Sequence, residues 1–154
     1  MPNITPQFTL EALYVSPFTA RRSFDDNGTT VYNPIERRTA PSGIDLLDSY
    51  VRHLTTGGRR EYFCRSAGLT TGELSVFLQL LTGLTAVEFS RRYVLRLGTD
   101  LLRFTEMDVC DVAHRCGFSD AAIFYRLVRS AYKITPQEYH RRFRKKGDAG
   151  RYAI

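Results

Sequence analysis

The sequence lacks most features of secreted, membrane and metal-binding proteins. Its three cysteines, Cys64, Cys110 and Cys116, are odd in number and fall in helical patterns, which indicates reduced, buried small residues and argues against disulfides or a thiolate zinc site. No apolar run approaches the ~20 residues that span a bilayer. The segment from Met1 to Pro6 has neither a cationic nor an apolar stretch, so we expect no secretory signal. These absences predict a cytoplasmic protein that does not bind membranes.

Motifs for catalysis and cofactor binding are also missing. The histidines His53, His114 and His140 do not have the spacing of metal ligands. The chain contains neither a glycine-rich phosphate loop nor a nucleophile elbow. We therefore expect no catalytic residue, no metal and no cofactor, and we expect that the protein is not an enzyme.

Basic residues are in excess, and they are unevenly distributed. The formal net charge is +6, but residues 1–42 carry four basic and four acidic side chains. All of the excess therefore lies in residues 43–154. Between Arg126 and Lys146, eight basic residues face only Glu138. Such a cluster is typical of a surface that meets DNA phosphates when it lies on a DNA-binding fold.

Capping signals and apolar spacing predict helix over almost all of residues 43–146. Capping boxes begin at Thr70, Thr85 and Thr135, the last with proline at the first helical position. The fourth helix is the longest and is expected to be a rigid connector. The seven predicted helices lie at about residues 43–56, 59–67, 71–82, 86–104, 107–116, 120–132 and 136–146.

These helices contain an internal repeat. The turn at Gly68 corresponds to the turn at Gly117, and beyond the turns the offset is a constant 50 residues, as for Leu74 and Phe124. A short helix, a tight glycine turn and a second helix form a helix-turn-helix unit. Two copies predict two equivalent docking surfaces.

Residues 1–42 follow a different pattern. The segment from Phe8 to Val15 alternates like a strand. Two β-prone segments flank Asp25 to Gly28, which predicts a hairpin. The sequence leaves open whether this arm docks on the helices, pairs with another chain to form a homodimer, or stays mobile.

The second unit contains a motif that consists of Asp111, Val112, Ala113, Gly117, Phe118, Asp120, Phe124, Arg126, Thr135, Pro136 and Tyr139. With this motif, about residues 43–144 resemble the AraC/XylS family of bacterial transcription regulators. The resemblance implies an all-α, seven-helix domain whose two helix-turn-helix units, joined by a long helix, present recognition helices to adjacent major grooves of double-stranded DNA. It also implies transcription regulation at the nucleoid. The chain then divides into a short N-terminal arm or β-hairpin (1–42), the AraC-type double helix-turn-helix domain (43–146) and a C-terminal tail (147–154).

Several positions depart from the family pattern. Gly98 stands where alanine is usual, and Lys133 stands where glycine is usual after the second recognition helix. The first recognition helix has Val76 and Gln79 at its usual basic positions. The family often carries a large sensor domain, whereas 42 residues are too few to enclose a small-molecule pocket.

Helical geometry assigns faces to the second recognition helix. Arg126 and Tyr125 are predicted to read bases, Arg129 a base or a phosphate, and Ala122 a thymine methyl. The alternative is that both arginines are solvated surface charges. Ser119, Ala121 and Ser130 complete the predicted DNA contacts of this unit. The predicted inward face consists of Ile123, Phe124, Leu127, Val128 and Ala131.

The first recognition helix has an uncharged outward face. Gln79 could bond adenine, Ser75 a base or phosphate, and Val76 a thymine methyl. Such a face is equally typical of protein contacts. Two hypotheses therefore remain: a DNA-binding regulator whose second unit dominates, or an interaction module whose degenerate first unit binds another regulator or RNA polymerase. The predicted inward face consists of Leu74, Phe77, Leu78 and Leu81.

Phosphate contacts are expected from cations outside the recognition helices. Arg91, Arg92 and Arg96 of the connector are candidates. A second group of candidates, for which a solvated surface is an equal alternative, consists of Arg141, Arg142, Arg144, Lys145 and Lys146.

Overall fold

The computed structural model describes residues 5–154, so residues 1–4 of the predicted arm lie outside the described residues. All seven predicted helices are present, together with one short additional helix and three strands. The connector helix begins and ends where the sequence predicts. In chain order the elements are α1 (Leu10–Leu13), β1 (Ala20–Phe24), β2 (Thr30–Pro34), α2 (Asp45–Thr55), α3 (Arg60–Ala67), α4 (Thr71–Thr82), α5 (Ala86–Phe104), α6 (Val109–Arg115), α7 (Ala121–Tyr132), α8 (Pro136–Phe143) and β3 (Tyr152–Ala153).

Capping determines where several helices begin. At α4, Thr70 Oγ1 accepts a hydrogen bond from the backbone N–H of Glu73 at 3.1 Å, and the Glu73 carboxylate accepts one from the N–H of Thr70 at 3.2 Å. The capping box at Thr85 is also complete. Helix α6 begins later than predicted, because Asp108 caps it by accepting from the N–H of Asp111 at 2.8 Å. Local sequence therefore defines these starts.

Helix α5 belongs to two hydrophobic cores. Its N-terminal half, including Phe89 and Tyr93, packs with α2, α3 and α4 in the first core. Its C-terminal half, including Leu97 and Leu101, packs with α6 and α7 in the second core. A Cβ at Gly98 would overlap the ring of Phe124, which explains why glycine suits this position. Each half of α5 completes one helix-turn-helix unit.

The two units also touch where the turn between α2 and α3 meets the turn between α6 and α7. Gly57, between α2 and α3, lies against Gly117, between α6 and α7, and both have positive φ, +80° and +96°. A Cβ at Gly117 would lie 2.6 Å from the Gly57 carbonyl oxygen. Arg115 Nη1 donates a hydrogen bond to the carbonyl of Thr55 at 2.7 Å. These contacts hold the two units in one relative orientation.

The strand prediction for Phe8 to Val15 is wrong, because the segment contains the helix α1. Thr9 caps this helix, with Oγ1 accepting from the N–H of Ala12 at 3.2 Å. The backbone N–H of Phe8 donates to the carbonyl of Leu81, near the end of α4, at 3.0 Å. This N–H therefore has its hydrogen-bond partner on a helix and not on a neighbouring strand. The alternation reflects contacts with helices, with Leu13 and Val15 buried in the first core.

The arm docks across both cores. Tyr14 packs against the first and the second core, and Phe18 is buried in the second. The N–H of Val15 donates to the Tyr93 hydroxyl at 2.9 Å, and Thr55 Oγ1 donates to the Val15 carbonyl at 2.8 Å. Among the three alternatives for the arm, docking on the helices is therefore observed for residues 8–18.

The predicted hairpin is confirmed. Strand β1 pairs antiparallel with β2, from Ala20 opposite Pro34 to Phe24 opposite Thr30. Asp25 Oδ1 accepts from the N–H of Asn27 at 2.9 Å and completes the turn.

The C-terminal residues complete this sheet. Strand β3 pairs with the other side of β1, so the strand order is β2-β1-β3. The ring of Tyr152 stacks on Phe18 with the ring centroids 4.9 Å apart. Asp148 is 1% exposed and accepts a hydrogen bond from Arg103 Nε at 2.9 Å. These contacts tie the C-terminus to the N-terminal arm.

Within residues 5–154, no helix combines the length and apolar character needed to cross a bilayer.

Candidate nucleic-acid interface

The second recognition helix, α7, packs on the protein through a narrow side. Phe124 and Val128 are fully buried, as predicted. Ile123 is 43% exposed and Ala131 is exposed, so the prediction that both face inward is wrong. Ile123 lies about 100° around the helix from Phe124. Ala131 lies on the same side as Phe124 and Val128, but it stands in the last turn of the helix. The free side of α7 is therefore wider than the sequence indicated.

Arg126 lies at the centre of this free side, because it is opposite Phe124 and Val128 on a helix of 3.6 residues per turn. Ser119 and Ala122 are exposed near the start of the helix. Arg129 and Ser130 flank Arg126 and are exposed. These positions agree with an outward-facing surface.

Tyr125 and Ala121 lie at the edge of the free side. Both are half-buried, and Ala121 packs against the second core. Their access to a ligand above α7 is smaller than that of Arg126.

The first recognition helix, α4, presents an apolar face. Leu74 and Leu78 are fully buried, and Val76 and Leu80 are 58% and 75% exposed. Gln79 lies beside them and is exposed. The two units are therefore alike in fold and different in surface chemistry.

Ser75 has a structural partner on the next helix. Its Oγ accepts a hydrogen bond from the backbone N–H of Ala86, the first residue of α5, at 3.1 Å. This bond satisfies one of the free N–H groups at the start of α5. Ser75 is therefore half-buried between α4 and α5.

A basic cleft of about 700 Å³ runs between the two units. It lies alongside the free side of α7, which contributes Ile123, Leu127 and Ser130. Four arginines and one carboxylate line it, and the carboxylate of Glu61 is 3.7 Å from Arg60 Nη2. The arginines come from three parts of the chain: Arg59 and Arg60 at the start of α3, Arg91 on α5, and Arg126 on α7. An anionic ligand therefore fits this cleft.

Arg59 and Arg60 were not among the predicted site residues. They stand at the N-terminus of α3, where the helix dipole disfavours positive charge. In the sequence, the feature that could have pointed to them is the pair Arg59-Arg60 directly after Gly57-Gly58. The carboxylate of Glu61, in the first turn of α3, offsets part of this charge at 3.7 Å from Arg60 Nη2.

The three connector arginines face different directions. Arg91 lines the basic cleft, whereas Arg92 lines a separate groove beside Leu84 and Tyr132. Arg96 Nε pairs with Asp100 at 3.3 Å, and its guanidinium lies over the ring of Tyr14 at 4.6 Å. Successive helical residues are about 100° apart, so only one of the three can face the cleft.

Asp100 is enclosed beside Arg96. Burial raises the pKa of the Asp100 carboxyl, while the charge of Arg96 and the hydrogen bond from Tyr14 oppose that shift. The Tyr14 hydroxyl donates to Asp100 Oδ2 at 2.9 Å. Arg96 therefore belongs to the contact between the arm and α5, and its predicted phosphate contact is not supported.

The prediction of a phosphate contact by Arg144 is also not supported. Helix α8 ends at Phe143, and the guanidinium of Arg144 donates to the carbonyls of Leu102, Arg103 and Thr105. Those carbonyls lie at the end of α5, where they have no partner within the helix. Arg144 therefore caps α5. Arg141, Arg142, Lys145 and Lys146 are exposed.

The cysteines are free, as expected, but only two are buried. Cys64 and Cys116 are buried and Cys110 is exposed, so the prediction of burial is wrong for Cys110. Burial raises the pKa of the Cys116 thiol to about 12. Among the described residues, no cluster of histidine, cysteine and carboxylate side chains could hold a metal ion.

Residues 63–142 match a family model described as a helix-turn-helix domain. The chain is 30% identical over 115 residues to the HTH-type transcriptional activator RhaR of Mannheimia succiniciproducens, covering 72% of this chain and 42% of RhaR. The chain thus spans less than half the length of that relative.

Solved structures share the fold. The C-terminal domain of the response regulator yesN from Fusobacterium nucleatum has a TM-score of 0.55 at 21% identity, covering 62% of this chain and 93% of that one. The DNA-binding domain of AdpA, solved in complex with a target DNA, has a TM-score of 0.55 at 20% identity, covering 63% and 87%.

Proposed function

Because this chain belongs to the AraC/XylS family of helix-turn-helix transcription regulators, we propose that it binds double-stranded DNA sequence-specifically and regulates the promoter that it occupies. Helices α4 and α7 enter adjacent major grooves, and the second unit provides most of the affinity. The observation that carries this proposal is the basic cleft, in which Arg59, Arg60 and Arg91 lie beside Arg126 of α7.

In this proposal α7 reads the bases. Arg126, at the centre of the free side, donates two hydrogen bonds to guanine O6 and N7. Ala122 and Ile123 contact thymine methyl groups. Arg129, Ser119 and Ser130 contact bases or phosphates at the margins, and Tyr125 and Ala121 contribute least because they are half-buried.

The cleft arginines hold the DNA backbone between the two grooves. Arg59, Arg60 and Arg91 contact phosphates, which position the protein without reading sequence. Both recognition helices pack on α5, so their separation is set by one chain and dimerisation is not required for specificity. Adjacent half-sites lie about 34 Å apart along B-DNA, and the duplex bends if the two helices do not match that spacing.

Fluorescence anisotropy with random duplex DNA, at low and physiological salt, tests this proposal. On an operator selected from the random pool, Arg126→Ala is expected to weaken binding by about 1–3 kcal/mol. Arg91→Ala is expected to weaken binding and to reduce the slope of log K against log salt by about one. The matched control is Arg92→Ala, which removes the same charge from a different side of α5. Equal effects of Arg91→Ala and Arg92→Ala, or no binding tighter than micromolar at low salt, would contradict the proposal.

A second candidate is the protein-interaction module. The exposed side chains of Val76 and Leu80 favour it, because an apolar helix face is typical of protein contacts. In that case α4 binds another regulator or RNA polymerase, DNA binding is weak, and its salt slope is shallow. Selection of a high-affinity operator from random DNA separates the two candidates.

The proposed function also implies where the protein acts. A promoter-binding regulator of a bacterium works in the cytoplasm, at the nucleoid, and performs no chemistry of its own. A homodimer through the N-terminal hairpin would add a second pair of recognition helices to those of one chain.

A further inference from the structure

Among the residues that the structure describes, no other strand covers the outer edge of the small sheet. Within residues 5–154, β2 lies at one edge of the order β2-β1-β3. All five residues of β2 are exposed. The opposite side of β1 is partly covered, since the N–H of Arg22 donates to the carbonyl of Arg151 at 2.7 Å and β3 follows.

The register of the hairpin determines which backbone groups face outward. The N–H of Ile35 donates to the Thr19 carbonyl, and the N–H of Asp25 donates to the Thr29 carbonyl, both at 3.0 Å. Hydrogen-bonded pairs alternate along an antiparallel ladder. Thr30, Tyr32 and Pro34 therefore direct their backbone groups away from β1. Because proline has no N–H, the edge presents two donors and three carbonyl acceptors.

The edge has few of the features that prevent strand pairing. Proteins protect exposed edges with charged side chains, bulges or covering segments. The sequence of β2, Thr-Val-Tyr-Asn-Pro, has no charge, and its only protective residue, Pro34, is at its end. Val31 and Tyr32 are 37% and 44% exposed, and Phe24 beside them is 65% exposed. The edge is therefore suited to accept another strand.

We propose that β2 pairs antiparallel with β2 of a second copy of this chain, about a two-fold axis at Tyr32. Each Tyr32 N–H then donates to the Tyr32 carbonyl of the other copy. Each Thr30 N–H donates to the Pro34 carbonyl of the other copy. Both outward donors are satisfied, and the missing N–H of Pro34 leaves no donor without a partner.

The charges at the two ends of the hairpin support this register. Asp25 and Asp26 form the hairpin tip, and Glu36, Arg37 and Arg38 follow β2 at its base, with a net charge of +1. Arg37 donates to the Ser16 carbonyl and Arg38 to the Pro41 carbonyl, so the exposed Arg38 is the cation that faces the acidic tip. Antiparallel pairing places the acidic tip of one copy beside the basic segment of the other, and the symmetry repeats this contact. The complementarity favours a second copy of the chain over an unrelated strand.

A pair of five-residue strands is smaller than a standard protein interface, so the dimer is weak in free solution. It becomes effective when both copies are held close together, as on neighbouring DNA sites. A two-fold dimer places the copies in opposite orientations, so such sites would be inverted repeats. The contact itself goes beyond the proposed function and is measured without DNA.

Cysteine crosslinking tests the symmetry axis. In a Cys110→Ser background, which removes the exposed native thiol, Tyr32→Cys places two thiols on residues whose Cα atoms are about 5.5 Å apart, within the range of a disulfide. Thr30→Cys is the control, because two copies of that residue would lie about 13 Å apart. Preferential crosslinking of Tyr32→Cys is expected. Equal yields, or crosslinking of neither variant at millimolar protein, would overturn the proposal.

Sedimentation equilibrium provides a second test that leaves Tyr32 unchanged. Wild type is expected to dimerise with a dissociation constant of the order of 100 µM, and Thr30→Pro, which removes an outward donor, is expected to weaken dimerisation about tenfold. Thr30→Val, which loses only the hydroxyl, is the control. Asp26→Arg and Arg38→Asp should each weaken the dimer, and the double variant should restore it. A dimer unchanged by Thr30→Pro would contradict the proposed edge.

Discussion

At the residue scale, Gly83 and Lys133 end the two recognition helices at equivalent positions of the repeat. Both have left-handed backbone, with φ of +75° at Gly83 and +61° at Lys133. Lys133 is the only residue other than glycine with positive φ among the described residues. A side chain with a Cβ is strained in this conformation, which glycine adopts freely.

Lys133→Gly is therefore expected to stabilise the second unit. Glycine removes the backbone strain at position 133, although it loses more backbone entropy on folding than lysine does. The first effect is the larger, so the free energy of unfolding is expected to rise by about 0.5–1 kcal/mol. Urea denaturation measures it. Lys133→Ala is the control, since it removes the same charge and retains the Cβ. An equal gain for the two variants would show that charge, not backbone strain, is the cause.

Asp148 links the C-terminal residues to α5 because it accepts a hydrogen bond from Arg103. This hydrogen bond, and a second one from the backbone N–H of Lys145, lower the pKa of the Asp148 carboxyl. A folded-state pKa below the unfolded value stabilises the protein above the unfolded pKa, and this stabilisation is lost as the pH falls through the folded pKa. Asp148→Asn is thus expected to lower Tm by about 5 °C at pH 7. The difference should shrink below about pH 4. Thermal unfolding measured as a function of pH checks this prediction, and Asp26→Asn, at an exposed position, is the control. A difference in Tm between wild type and Asp148→Asn that does not change with pH would exclude the ionised carboxylate as the cause.

At the element scale, α4 and α7 share a fold and differ in surface. If α4 lies in a major groove, Val76→Arg adds a phosphate or base contact. Affinity for random duplex DNA is then expected to rise about threefold to tenfold at low salt, and the salt slope to increase by about one. Val76→Glu should weaken binding by a similar factor. Anisotropy measures both variants, and an unchanged DNA affinity in both would place α4 away from DNA and favour the protein-contact hypothesis.

At the scale of the whole molecule, the contact between the turns sets the geometry of the two units. Inserting five base pairs between the half-sites of a selected operator turns one half-site to the opposite side of the duplex, so wild-type affinity should fall about tenfold or more. Arg115→Ala removes the bond to Thr55 and should make the affinity less sensitive to this insertion. Arg65→Ala, an exposed substitution on α3, is the control. The same sensitivity in both variants would show that α5 alone orients the units.

The sequence predicts a site residue well when neighbours on the same helix decide which way it faces, and poorly when packing against other helices decides it. Periodicity alone assigns Arg126 to an outward face, and its exposure agrees, because the buried Phe124 and Val128 define the opposite side of α7. The sequence assigns Ile123 to the inward face, but α7 packs along a narrow side and leaves Ile123 exposed. The roles of these residues in DNA binding stay predictions.

The sequence by itself determined the seven helices of residues 43–146 and their order. Helices α4 and α5 begin at the predicted residues because Thr70 and Thr85 cap them through neighbours three residues away, and both helices also end where predicted. It also determined the two-unit repeat, since the glycine turns and the apolar spacing are local patterns.

Only the tertiary structure decided what depends on residues distant in the chain. It showed that Arg59, Arg60, Arg91 and Arg126 share one cleft and that α1, not a strand, docks on the helices. It also paired β3 with β1 across more than a hundred residues of sequence. Periodicity describes one element at a time, whereas a cleft, a docking site and a sheet edge are formed when separate elements meet.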